Sequence, residues 1–390
     1  MLDLRAAILA LAPTLALAPT LALAPTLAPG PTLAVAPAAT AADPEPWLTG
    51  LRFPVSMAWA PDGTLFYAEK ELGNVRMVVD GQVAPDPVAH VDVTVTFEQG
   101  LLGLAVHPGW PDEPWLYLYY SDASDGINRL IRVRVEDGRE VARQTLLDGL
   151  PTASAYHNGG DLLFGPDGML YVTVGDAHDS GRAQDPTDLG GKVLRLTPEG
   201  AIPDDNPIAG SRTFTLGHRN SFGICVDPAT GDLWETENGE PTDEINELEP
   251  GDNYGWPIGQ GVLEEDRFRD PVATMHEVAP TGCAVWHGAV FVGAYRDGIL
   301  RRLPLEGGEL RRVHAFDAAV YDLTVGPDGR LYASTGDAIW RFGDPPPEGG
   351  EVEPPSPARD EGTAEWVYVG IAVAVAASLA TMLLLAGRRR

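Results

Sequence analysis

The chain has 390 residues, 56 acidic against 27 basic side chains, a formal net charge of −29 and 44% hydrophobic residues, enough apolar chain to exclude wholesale disorder. Its 35 Pro and 44 Gly point to many turns and away from a helical bundle, and two cysteines, Cys225 and Cys283, exclude a disulfide-rich scaffold or a Cys-rich metal centre. The charge disfavours nucleic acid as a partner and favours cations or cation-bridged ligands.

Residues 1–42 carry one early base, Arg5, then Leu-Ala-Pro-Thr repeats and an Ala-rich stretch from Ala36 to Ala42. They read as an export signal or low-complexity leader. Residues 43–343 follow as the folded domain, and most of the acidic side chains lie there.

Within it, a turn of Pro, Asp and Gly recurs before a short run of aromatic and branched residues. The clearest copies are Pro61-Asp62-Gly63, Pro166-Asp167-Gly168 and Pro327-Asp328-Gly329. Looser ones are His107-Pro108 before Trp115, Asp227-Pro228 before Leu233, and Trp286-His287-Gly288. Proline presets φ, Asp bonds back to the backbone and Gly accepts positive φ, so each copy is a turn feeding a strand. Six copies at the spacing of propeller blades predict an all-β, six-bladed β-propeller, with a pair of β-sandwiches as the alternative.

Four polar stretches have no evident role in a sheet. They are Tyr156-His157-Asn158-Gly159-Gly160-Asp161, Gly175-Asp176, Gly217-His218-Arg219-Asn220, and an acidic loop expected over residues 235–246. An imidazole and a carboxylate at neighbouring strand ends can form a base and its orienter. Arg beside Asn offers a donor fork for an anion. Acidic side chains and strained carbonyls offer hard oxygen ligands for calcium. Each group also has a plain structural reading, as a satisfied histidine, an ion pair or a solvated loop.

These stretches carry a family resemblance. Together with Gly100-Leu101-Leu102-Gly103-Leu104, Ile202-Pro203-Asp204-Asp205-Asn206-Pro207, Asp243-Glu244-Ile245-Asn246 and Asn253-Tyr254-Gly255-Trp256-Pro257, the chain resembles the soluble quinoprotein glucose/sorbosone (aldose sugar) dehydrogenases, from about Leu51 to Phe342. The resemblance implies pyrroloquinoline quinone (PQQ) and calcium as cofactors, an aldose oxidised at C1 to its lactone, and an external electron acceptor. It implies His157 as the base, Asp176 as its orienter and Arg219 as the charge stabiliser. Arg219, Asn220, Arg296 and Gln99 would contact the quinone, and the carbonyls of Gly239 and Glu240 would hold calcium. The chain departs from the family pattern at several positions. Ala319 and Tyr321 stand where arginines are expected, Glu98 stands where a Gln is usual, Asp161 replaces an Arg, and Arg296 aligns with a Lys. A calcium-binding propeller that recognises carbohydrate or protein without catalysis is the alternative.

Residues 344–365 are an acidic, proline-rich stalk with Pro354-Pro355 among its acids. Residues 366–387 are apolar, long enough for a transmembrane helix, and 388–390 form an arginine tail. The positive-inside rule then leaves the propeller extracytoplasmic and membrane-anchored. Cys225 and Cys283, each in a strand-like apolar context, are expected either as a pair or as two buried thiols.

Overall fold

The computed structural model describes residues 43–345, apart from 153 and 154. The leader, the anchor, the arginine tail and the stalk beyond residue 345 lie outside the described residues. Among the described residues no helix is long and apolar enough to cross a membrane, and the single helical segment is the 3-10 turn Ser180–Gln184.

Six antiparallel sheets are arranged as successive blades. Their innermost strands are Pro54–Trp59, Leu101–Val106, Gly159–Phe164, Ser221–Val226, Pro280–Trp286 and Asp322–Val325. Each runs directly into one of the six turns expected from the sequence. The ring closes where the N-terminal strand Glu45–Thr49 pairs with Ala338–Phe342 as the outer strand of the sixth blade. That pairing joins the two ends of the domain, so no blade is left at a free end of the ring.

The apolar runs form the packing between blades. Leu101, Leu116 and Val133 of blade two are buried against Phe66, Val75 and Ala89 of blade one. Each of the Leu, Val and Phe side chains contributes about 1.5–3 kcal/mol of burial. Polar side chains on the inner strands stitch neighbouring blades together. The Leu104 N–H donates to Ser56 Oγ at 3.1 Å, the Ile224 N–H to Asp161 Oδ2 at 2.8 Å, and the Met57 N–H to Asp322 Oδ2 at 2.6 Å. The Thr281 hydroxyl donates to the Val320 carbonyl at 2.7 Å. Cys225 and Cys283 form a disulfide between the inner strands of blades four and five, which settles the two expectations in favour of pairing.

Five inner strands carry a register shift close to their N-terminal end, for example between Gly159 and Leu162 and between Ser221 and Gly223. Bulges of this kind re-aim the residues before them, and in the third and fourth blades those residues belong to the polar stretches around His157 and Arg219. At the opposite, turn-bearing end the inner strands of all six blades line a cavity of about 510 Å³, with Asp161 and Asp322 in its wall.

Candidate active site

The loops entering the inner strands of blades three and four, with the loop that leaves strand Leu170–Val174, bring His157, Arg219, Asn220 and Asp176 together. His157 lies in the left-handed region at φ 57° and Gly159 at 60°, which turns the chain into the third blade. A Cβ at Gly175 would stand 2.1 Å from the His157 carbonyl, so only glycine lets the Asp176 loop close on the histidine. His157 Nδ1 donates to Asp176 Oδ1 at 2.7 Å, with both residues buried. The protonated Nδ1 leaves Nε2 with its lone pair, the atom that can accept a proton.

Asp176 is held from three further directions. Trp256 Nε1–H donates to Oδ2 at 2.9 Å, the His178 N–H to Oδ1 at 2.8 Å, and the Asp176 N–H donates to the Arg219 carbonyl at 2.9 Å. Burial works to raise its pKa. The hydrogen bond and charge of His157, with the Trp256 and His178 donors, outweigh it and hold the carboxyl below the usual range. An anion fixed against Nδ1–H orients the imidazole and favours its charged form when Nε2 takes a proton.

Arg219 is placed by its own backbone N–H, which donates to Glu237 Oε1 at 2.6 Å. Its guanidinium donates to the Asn238 carbonyl at 2.9 Å and to Glu240 Oε2 at 3.0 Å, and sits over the Trp256 ring at 5.5 Å. Asn220 Oδ1 accepts the Gly159 N–H at 3.2 Å. The Gly239 N–H donates to Asp243 Oδ1 at 2.9 Å, which fixes the tight turn carrying the Gly239 and Glu240 carbonyls. Arg296 is exposed and paired with Glu277 at 3.3 Å. The Gln99 amide is turned away from His157 and donates to the Gly126 carbonyl at 3.2 Å. Its neighbour Glu98 is the residue that reaches the histidine, accepting the His157 N–H at 2.6 Å. At the positions lacking arginine, Tyr321 packs instead against Phe53 and Tyr295, with ring centroids 4.5 and 6.0 Å apart.

The stretch 235–246, expected as one loop, is two paired strands, Leu233–Glu237 and Thr242–Leu248, joined by a short turn. Glu235 pairs with Asn246 and Glu237 with Glu244, so their side chains share one face of the fourth blade. His218 completes the group, its Nδ1 bonded to Glu237 Oε2 at 3.0 Å and its Nε2 to Thr215 Oγ1 at 2.8 Å. Burial first, then mutual repulsion, pushes Glu235 and Glu244 up to about 8. Burial also carries Glu237 to about 8, and it depresses His218 to about 4. One ligand atom each from His218, Glu235 and Glu237 falls within 4.8 Å of the others, a set that could hold a metal ion. The alternation Glu235-Thr236-Glu237 is the sequence signal for it, since residues two apart on a strand point the same way. Glu98 and the Trp256 indole have no site role legible in the sequence because their partners lie 59 and 80 residues away, and His178 has none because its contact to Asp176, two residues before it, is made by the backbone N–H.

The sequence profile of the glucose/sorbosone dehydrogenases matches residues 51–339. A crystallised oxidoreductase of Thermus thermophilus, described as a glucose dehydrogenase, is 36% identical with a TM-score of 0.73, covering 77% of this chain and 99% of its own. The PQQ-bound aldose sugar dehydrogenase of Streptomyces coelicolor is 32% identical with a TM-score of 0.71, covering 76% and 95%. An aldose sugar dehydrogenase of Escherichia coli is 30% identical across 73% of this chain and 87% of its own. A buried His–Asp pair beside an Arg–Asn fork, on a six-bladed ring matched along nearly all of its length, places this chain in the glucose/sorbosone dehydrogenase family.

Proposed function

We propose that the protein is an extracytoplasmic, membrane-anchored quinoprotein oxidoreductase that oxidises an aldose at C1 to the lactone, using PQQ and calcium. The observation carrying this reading is the 2.7 Å contact of His157 Nδ1 with Asp176, with Arg219 and Asn220 beside it. The donor set suits a planar polyanion. Arg219 and Arg296 supply cations, Asn220 an amide and Trp256 an aromatic face, with fewer positive charges than the family pattern because Ala319 and Tyr321 replace arginines. Arg219, Asn220 and Arg296 would hold the quinone, and the Gly239 and Glu240 carbonyls the calcium ion. When bound, the quinone supplies a two-electron acceptor and the cation a Lewis acid.

His157 Nε2 removes the proton of the sugar C1 hydroxyl, and Asp176 steadies the imidazolium that results. Arg219 would stabilise the negative charge that develops as the sugar is oxidised. The Cys225–Cys283 disulfide suits an oxidising compartment, which supports an exported propeller. The apolar segment 366–387 supports anchoring.

The test is to load the full-length protein with calcium and PQQ and follow dye reduction across a panel of aldoses. Turnover that disappears in His157→Ala, with quinone affinity retained, supports the proposal. A folded protein that calcium stabilises and that never binds the quinone favours the non-catalytic propeller instead.

A further inference from the structure

We propose that Glu98 is a positioning residue for His157, and that its negative charge as well as its shape prepares the histidine to accept a proton. The inference rests on the functional reading above for its consequence in catalysis, but not for the interaction itself.

Glu98 is aimed at the histidine by a clamp built from another blade. Lys70 Nζ, on a largely buried side chain of blade one, donates to the Phe97 carbonyl at 3.1 Å and to the Gln99 carbonyl at 2.7 Å, on either side of Glu98. The Glu98 N–H donates to the Ala155 carbonyl at 3.2 Å, and the Phe97 ring stacks on Tyr156 with centroids 4.6 Å apart. Phe97 itself is left-handed at φ 53°. The segment is therefore gripped at its carbonyls, its amide and its neighbouring ring, and the carboxylate has one place to go. It accepts the His157 N–H at 2.6 Å and receives a longer contact from Asn220 Nδ2 at 3.4 Å.

This arrangement does two things. It satisfies the amide of a non-glycine residue in a conformation that costs of order 1–3 kcal/mol, which the surrounding structure must over-determine. It also sets a second anion beside the histidine, held by the main chain where Asp176 is held by the ring. Burial raises the affinity of Glu98 for a proton, while the attraction of His157 and the N–H donors oppose that rise. The other charged or titratable groups around the pair are Lys70, Tyr156, Asp176 and His178, with Arg219 and Glu240 acting on His178. A glutamine at position 98 would preserve the volume and one acceptor but not the charge. It would also turn an amide N–H₂ toward a site that supplies donors.

The test compares the wild type with Glu98→Gln, Glu98→Asp and Glu98→Ala in the full-length protein. The first readout is the titration of the His157 Hε1 resonance without cofactor, assigned through His157→Ala. In Glu98→Gln the midpoint is expected to fall by about half a pH unit or more, because an anion that favours imidazolium has gone. Glu98→Asp keeps the charge and is expected to stay close to the wild type. In the loaded enzyme the acid limb of the kcat/KM profile is expected to move down with that midpoint, and kcat to fall about ten-fold with little change in KM. If Glu98→Gln does not fold, Glu98→Ala gives the same comparison. An unmoved His157 titration in a folded variant overturns the proposal. A shifted titration in a protein that shows no quinone-dependent turnover keeps the role of Glu98 and removes the dehydrogenase reading.

Discussion

The indole of Trp256 donates to Asp176 Oδ2 across 80 residues of sequence, so the carboxylate that orients His157 is itself oriented from the fourth blade. Replacing Trp256 with Phe keeps most of the packing and removes that donor. Losing a hydrogen bond to a charged group costs about 1.5–3 kcal/mol. The expected outcome is a ten- to hundred-fold drop in kcat together with a thermal midpoint lower by roughly 3–8 °C. Asp176 is held below its ordinary range, so its contribution is present at neutral pH and lost as pH falls through the folded value. Without the indole that loss begins at higher pH, which the acid side of the kcat profile measures.

Arg219 is held by two partners of different kinds, a carbonyl at Asn238 and the carboxylate of Glu240. Lysine retains the charge but cannot reach both with a planar fork. Arg219→Lys is expected to weaken quinone binding by about ten-fold or more, read by equilibrium titration of the calcium-loaded protein. Unchanged affinity would show that the guanidinium serves the Asn238–Glu240 turn alone.

The channel wall carries two acids, Asp161 and Asp322, the first of them at a position where the family pattern has an arginine. Burial raises Asp161 to about 6, and burial together with the charge of Asp161 raises Asp322 as well. A carboxyl raised in the folded state adds stability that is complete below its unfolded value and is lost as pH rises through the folded one. The melting temperature is therefore expected to fall by roughly 3–6 °C between pH 5 and pH 8. A midpoint that climbs steadily over that interval would contradict the arrangement.

The Cys225–Cys283 bridge closes a sequence separation of 58 residues and ties two blades at their inner edge. The Cys225→Ser, Cys283→Ser double variant is expected to lose about 2–4 kcal/mol of stability, measured by denaturant unfolding. Activity at room temperature should survive, because neither cysteine touches His157, Asp176 or Arg219.

The local grammar of the chain was legible without any fold: six turns that stop and restart strands, and hence the blade count and the loops that carry chemistry. Turn chemistry and strand periodicity act over a few residues, which is why a linear reading recovers them. The His157, Asp176, Arg219 and Asn220 positions were legible for the same reason, each lying beside a turn or strand end. Which neighbour faces inward was a matter for the folded chain. Glu98 rather than Gln99 meets the histidine, because the turn closed by the Gln99 N–H on the Thr96 carbonyl, with Phe97 left-handed, sends the two side chains different ways. Folding likewise made Glu235, Glu237, Glu244 and Asn246 one buried face rather than a solvated loop, and brought the two cysteines together. Those outcomes depend on strand register and on closure of the ring between residues 45–49 and 338–342, contacts whose energies are spread over the whole chain and written in no single segment of it.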